Sequence, residues 1–429
     1  MLMKKIRLFS CVLLVLCGYS VAQNQASSGH WASAWSTAVH APLSFPGLPP
    51  TPVIENQSIR MIVRPTIGGE RVRVRFSNAF GTTPLMIGSA HIAIAVNGRN
   101  ILPDSDRTLT FGGKSSVTVP AGAPILSDPV DLKFDTFGEL AVSIFLPAST
   151  TASSVHFWGQ HETYVTGPGD FTGKSEIPDA SVKTAWYWLA DVEVWSSDRV
   201  GATVALGDSI TDGVGAKQGE YNDWPDLLAN RLAAQKSLPA MAVVNEGIGG
   251  NRILHDGAGI STLARFDRDV LSQPGVVNLI VLEGINDIGW PRMKPRIPNG
   301  EQLKEPPFAR ELVSADDIIG GLKQIIERAH QHGIRVFGAT LTPYEGADYY
   351  TEDGEQARQS VNQWIRSSGA FDGVFDFDAA VRDPKQPKRF REGYHSGDFL
   401  HPSATGYKAM VEAVDLMVLR TSGVGTPKK

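Results

Sequence analysis

Two rhythms of apolar and polar residues divide the chain. From His30 to about Asp198 the apolar positions alternate with polar ones in short runs, clearest at 58–64 and 70–76, with Pro65, Gly68 and Gly69 as turn material between them. Further runs at 91–96, 116–119, 130–134 and 139–145 follow at regular spacing. Period-two alternation buries one face of a strand and wets the other, so this part predicts an antiparallel β-sandwich. Arg60, Arg64, Arg71, Arg73 and Arg75 alternate with core positions and are expected on the solvated face of two strands.

Beyond Asp198 the rhythm becomes strand, loop, helix. Apolar strand-like runs at 200–206, 242–245, 277–282, 334–340 and 374–377 alternate with helical patterns at 224–234, 262–272, 315–332, 353–368 and 403–420. Pro225 sits where an early helical proline is tolerated, and hydroxyl or acidic residues precede the last two helices as caps. Such alternation requires right-handed crossovers and a doubly wound parallel sheet, with every strand's carboxyl end on one rim. Open α/β sheets bind their ligands at that rim.

Composition changes the picture mainly by exclusion. The 429 residues are 42% hydrophobic and 20% charged, long enough for two sizeable cores. A formal charge of −5 gives no reason to expect a nucleic-acid partner. Residues 1–22 read as a signal peptide: Lys4, Lys5 and Arg7 precede an apolar run at 8–16, and Ser20, Val21 and Ala22 supply small residues near a cleavage point. The run is too short to span a bilayer, so no stable membrane association is expected, and the product is secreted or periplasmic. Both cysteines, Cys11 and Cys17, lie in this segment, so the processed chain has no disulfide. Its loss of three basic residues moves the formal charge from −5 to −8. The remainder divides into a β-sandwich domain, 28–198, and an α/β domain, 199–422.

Six of the nine tryptophans, Trp31, Trp35, Trp158, Trp186, Trp188 and Trp195, lie in the first of these. They are expected to fill the sandwich core, and His156 and His161 to be core or surface residues, since a metal would need further ligands nearby.

Chemistry gathers at the rim of the parallel sheet. The stretch Gly207, Asp208, Ser209, Ile210, Thr211, Asp212, Gly213 turns the first strand into a helix, the address of a nucleophile, although a serine beside Gly and Asp also serves as a turn or cap. After the second strand, Asn245, Glu246, Gly247, Ile248, Gly249 and Gly250 allow close approach of a backbone N–H. After the third, Gly284, Ile285, Asn286 and Asp287 present a side-chain amide, and Asp398 and His401 are three residues apart before the last helix. A serine nucleophile needs a base, an orienter for that base and fixed donors for an oxyanion. These four signals supply that set in order.

From about Val200 to Met417 the chain resembles the SGNH hydrolases, also called GDSL-type esterases and lipases. The resemblance implies a flavodoxin-like α/β fold, with Ser209 as nucleophile, His401 as general base and Asp398 as its orienter. It implies an oxyanion hole from Ser209, Gly250 and Asn286, with no metal and no organic cofactor. The runs at 264–270, 338–343 and 376–380, with the leading β domain, are similar to a secreted subfamily that accompanies polysaccharide-degrading enzymes. The expected reaction is hydrolysis of short acyl esters, acetyl foremost, on plant or microbial polysaccharides or oligosaccharides. Trp290, Tyr344 and Tyr349 are candidates to contact the acylated carbohydrate. A GDSL-type lipase, lysophospholipase or aryl esterase is the alternative, and an inactive glycan-binding protein the third reading.

Overall fold

The computed structural model describes residues 29–43, 50–196, 200–293 and 308–419. The expected signal peptide, with both cysteines, lies outside these residues. No helix among the described residues is long and apolar enough to cross a membrane.

The first part is two packed antiparallel sheets. In the seven-stranded sheet Gln57–Val63 pairs with Leu140–Leu146 on one side and Thr163–Pro168 on the other. In the five-stranded sheet Leu189–Ser196 lies between His30–Ser36 and Gly69–Ser77. The two clearest alternating runs thus fall in different sheets, and Pro65 to Gly68 carries the chain from one layer to the other. Their inward positions, Ile59, Met61 and Val63 against Val72, Val74 and Phe76, share one core with Trp35, Trp186 and Trp188.

The arginines are not the solvated face expected from alternation. Arg60 is 1% exposed and donates to Ser143 Oγ and to the carbonyls of Arg99, Phe171, Thr172 and Lys174. Arg73 and Arg75 stand opposite Glu193 and Asp191 in the strand register and pair with them, Arg75 reaching Glu193 at 2.5 Å and Asp191 at 3.6 Å. Arg64 lies between the rings of Phe137 and Tyr221 and pairs with Asp226. Of the five, Arg71 alone keeps a largely exposed side chain. The outer face of the five-stranded sheet meets the α/β part, where Arg75 also donates to Ser272, so the polar face of the pattern became a buried junction.

The α/β part has five parallel strands, Gly201–Gly207, Met241–Gly247, Val276–Leu282, Arg335–Ala339 and Gly373–Phe375, in the spatial order second, first, third, fourth, fifth. This is the flavodoxin-like order of a doubly wound sheet. Its helices begin where hydroxyl and acidic side chains accept backbone N–H groups: Asp223 before Trp224–Ala234, Ser314 before Ala315–Gln331, Thr351 before Glu352–Ser367 and Ser403 before Ala404–Glu412. The pattern at 403–420 predicts one long helix, but it stops at Glu412 and resumes as a short turn at Leu416–Leu419. Arg231 donates to the carbonyls of Val411 and Val414, supplying from outside the partners that another helical turn would have given.

Met241–Gly247 is an edge strand, and the sandwich covers it. Thr66 Oγ1 accepts the Val243 N–H at 3.0 Å, Ser36 Oγ donates to Glu246, and Ser33 N–H donates to Pro274 O at 2.9 Å. Val200, Ala202 and Ala242 pack into the sandwich core. An edge that would otherwise offer unpaired backbone groups is thereby closed.

Arg60 gives a direct test of this packing. Arg60→Met leaves the buried Thr172 carbonyl, three partly buried carbonyls and the Ser143 hydroxyl short of a donor, so unfolding in urea is expected to show a loss of about 3 kcal/mol or more.

Candidate active site

Parallel register sets the ends of three strands level, with Gly207 beside Gly247 on one side and beside Leu282 on the other. The loops that follow carry Ser209, the Gly249–Gly250 turn and Asn286. Asp208 caps the short helix Ser209–Asp212 by accepting the Ile210 N–H at 2.9 Å. This turns the Ser209 side chain out of the strand line, although the residue stays 7% exposed.

His401 arrives from the far end of the chain. Its loop closes on itself through the Ser396 N–H to His401 O bond of 2.8 Å. Gly215, just past the serine turn, packs against the Pro402 carbonyl, where a Cβ would come within 2.4 Å. His401 Nε2 lies 2.8 Å from Ser209 Oγ, and His401 Nδ1 lies 2.5 Å from Asp398 Oδ2. Because a carboxylate only accepts, Nδ1 carries the proton and Nε2 is left to accept from the serine hydroxyl. The other oxygen of Asp398 accepts the N–H groups of Leu400 and His401, both at 3.0 Å, and the Ser396 hydroxyl at 3.1 Å. Against the effect of partial burial, the bonds from His401 and these N–H groups hold Asp398 well below the usual carboxylate range. The turn requires Phe399 to adopt a left-handed backbone, φ 62°, which costs a non-glycine residue about 1–2 kcal/mol.

The loops that leave the neighbouring strand ends carry hydrogen-bond donors. Among the described residues the N–H groups of Ser209 and Gly250 have no acceptor. Gly250 has φ 79°, and a Cβ on it would come within 2.7 Å of the Trp290 ring, so both conformation and space require glycine. Asn286, 2% exposed, donates from Nδ2 to Asn251 O at 3.0 Å and accepts at Oδ1 from the Tyr349 hydroxyl at 3.3 Å. These partners set the amide and leave its second N–H available. Burial, with Asp208 and Tyr344 nearby, pushes the Tyr349 hydroxyl well up, so it remains a donor.

Carboxyl groups beneath the site are shifted upward. Burial, added to by Asp287 and Asp212 and opposed by the Ile210 N–H and His401, pushes Asp208 up to about 7. Burial raises Asp287 to about 6, although it accepts the N–H groups of Ile253 and Leu254 at 2.8 and 3.0 Å. Asp287 thus pins the loop after the second strand to the turn after the third. No group of three or more His, Cys, Asp or Glu among the described residues could hold a metal.

A hydroxyl donating to an imidazole that a carboxylate holds from behind can release its proton as its oxygen attacks a carbonyl, while nearby N–H groups meet the oxyanion. Residues 205–409 match the GDSL-like lipase/acylhydrolase family. This part of the chain is a GDSL-like acylhydrolase domain. The acylhydrolase domain makes the protein a carboxylic ester hydrolase. It is similar to a protein of the G-D-S-L lipolytic family from Desulfitobacterium hafniense at 24% identity, covering 49% of this chain and 96% of that one, TM-score 0.36. A GDSL-like lipase from Bacteroides thetaiotaomicron is 17% identical over 51% of this chain and 87% of that one, TM-score 0.36. A variant of an acetyl xylan esterase from Geobacillus stearothermophilus is 21% identical over 50% of this chain and 94% of that one, TM-score 0.36. No curated protein matches the chain.

Ser209, Asp398, His401, Gly250 and Asn286 meet at one place in the acylhydrolase domain. Two expected carbohydrate contacts do not. Tyr344 is 0% and Tyr349 5% exposed, both within the α/β core, so neither ring offers a stacking face. Trp290 is half-buried and backs Gly250. The exposed aromatic rings here are Trp158, at 40%, which lies on Gly249, and Phe399, at 41%, which stacks on His395 at 4.4 Å. Its local pattern alone places Trp158 in the sandwich core, because nothing in that pattern tells of a neighbour from the other part of the chain. A cavity of about 50 Å³ is lined by Arg64, His156, His161, Asp212, Tyr221 and Asp223 rather than by Ser209.

The geometry predicts stoichiometric reaction of Ser209 with a p-nitrophenyl phosphonate. Peptide mass spectrometry is expected to locate the adduct on Ser209, and His401→Ala to slow its formation by about two orders of magnitude or more.

Proposed function

We propose that the protein is an exported serine esterase that removes small acyl groups, acetyl foremost, from polysaccharides or oligosaccharides. The observation that carries this reading is the unbroken hydrogen-bonded line from Asp398 through His401 to Ser209, with the Ser209 and Gly250 N–H groups left without acceptors among the described residues. Ser209 Oγ bonds to the ester carbonyl carbon while its proton passes to His401 Nε2. The oxyanion is met by the N–H groups of Ser209 and Gly250 and by the Asn286 amide. The carbon–oxygen bond to the sugar then breaks, and that alcohol leaves with the proton from His401. Water, deprotonated by His401, releases the acyl group as its acid and restores Ser209. The intact set favours catalysis over a glycan-binding role.

The surroundings support a short acyl group. Among the described residues of 288–312, 342–352 and 384–397, Leu312 is the one exposed Leu, Ile, Val or Met side chain. A fatty chain gains only about 0.8 kcal/mol per buried methylene, so it needs an aliphatic trough these segments do not offer. Trp158 and Phe399 instead present flat aromatic faces suited to sugar rings. Export rests on residues 1–22, and the amino terminus of the secreted or periplasmic product checks it.

Catalytic efficiency on aryl esters is expected to fall steeply from acetate to octanoate, with free acetate released from acetylated polysaccharide. Rising efficiency toward octanoate without glycan deacetylation selects the lipase alternative instead. Ser209→Ala is expected to lose about three or more orders of magnitude in turnover. Asn286→Ala is expected to lose about two to three with KM little changed. Trp158→Ala, losing about 1 kcal/mol of stacking, is expected to raise KM for acetylated oligosaccharide several-fold more than KM for aryl acetate.

A further inference from the structure

The sandwich reaches the site through His156. Its Nδ1 lies 2.9 Å from Ala38 O, and its Nε2 lies 2.9 Å from Asp212 Oδ1. Both partners are acceptors, so both ring nitrogens carry hydrogen and the ring is an imidazolium paired with a carboxylate. The pair is sealed from water, with side chains 4% and 3% exposed. Asp212 belongs to the short helix that begins with Ser209, and its second oxygen accepts the Gly249 N–H at 2.7 Å.

A continuous line therefore runs from the sandwich backbone through His156 and Asp212 to Gly249, the residue before Gly250. The indole of Trp158 lies on Gly249 so closely that a Cβ there would come within 2.4 Å of the ring. Trp290 presses on Gly250 from the α/β part. Asn245 Nδ2 donates to Thr211 O at 2.8 Å, a second tie between the second strand's end and the serine turn. The ligand-independent result is a fixed spacing between the Ser209 turn and the Gly250 N–H.

We propose that His156 is a positioning residue of the acyl-transfer site, contributed by the β-sandwich, which through Asp212 holds the Gly249–Gly250 turn where an oxyanion on Ser209 needs it. The proposal rests on the reading of Ser209 as nucleophile and Gly250 as oxyanion donor. Charge is what the ring supplies: beside an imidazolium, the Asp212 carboxylate accepts the Gly249 N–H in a charge-assisted bond. Burial lowers the affinity of His156 for its proton, but the attraction and hydrogen bond of Asp212 outweigh this and raise it overall. The other titratable groups facing the ring are His40, 5.8 Å away and held neutral by burial and by His156 itself, and Arg265, which opposes the charge.

The test uses the full chain with His156→Gln, Asp212→Asn and the double variant, on aryl acetate, with active sites counted by phosphonate titration. The expected result is a kcat per titrated site about ten- to a hundredfold below wild type in each single variant. KM should change less than about threefold, and the double variant should be no slower than the slower single one. A purely structural role would lower the melting temperature and the number of titratable sites while leaving kcat per site unchanged, and that outcome overturns the proposal. Ser209→Ala in parallel separates the two readings: if it stays active the nucleophile is misassigned, whereas an inactive Ser209→Ala with wild-type kcat in both single variants rejects His156 alone. Wild-type protein gives a check independent of folding. Nitrogen-15 spectra at pH 6.5 are expected to show both His156 ring nitrogens protonated, and a neutral ring there rejects the assignment.

Discussion

The site depends on one constraint of the parallel sheet: the strand Gly201–Gly207 is hydrogen-bonded along both edges, to Met241–Gly247 and to Val276–Leu282, with their ends in register. Neighbouring strands lie about 4.8 Å apart, so three loops leaving level ends are forced together. One carries Ser209, and the loops beside it carry Gly250 and Asn286. The strand order reverses here, which opens the crevice where doubly wound sheets receive ligands. A nucleophile placed after any outer strand would have had one such neighbour instead of two.

Holding the loops at that spacing falls to buried charge. Arg265, 0% exposed, donates to the carbonyls of Gly207 and Glu246, to Asn251 Oδ1 and to Asp269. One guanidinium thus ties the ends of the first and second strands to the loop that leads away from Gly250. Asp287 does the same between the second loop and the third, and Asp212 between the serine turn and Gly249. Ions so deeply buried contribute little net stability when paired, but stripping one partner costs about 3–5 kcal/mol. Their use here is geometric: directional bonds fix a backbone that aliphatic packing would let slide.

The sandwich is part of this machinery rather than an appendage. It closes the exposed edge of Met241–Gly247, shares apolar core with Val200, Ala202 and Ala242, and sends His156 and Trp158 to the turn beside Ser209. The arginine and acid pairs of its outer sheet lie at the same junction. A face patterned as if for water is instead packed on the α/β part, with Arg73 and Arg75 paired to Glu193 and Asp191.

By itself the sequence determined the two layers and the parallel sheet, and it named the serine, histidine, aspartate, glycine and asparagine of the candidate site. Each is written in local chemistry: period two against strand–helix alternation, caps at helix starts, glycines and polar residues at strand ends. Tertiary structure decided what those local signals do not encode. Arg60 and Arg73 alternate as surface residues do, yet carbonyls and acids from distant strands cover them. Tyr344 and Tyr349 follow a strand at the catalytic rim, yet the helix Glu352–Ser367 and the turn at Asn286 enclose them. His156 and Trp158 look like sandwich core until the second domain packs on them. The reason is physical: periodicity reports which face of an element is apolar, whereas burial of a polar or aromatic face depends on partners scores of residues away, whose approach only the folded chain defines.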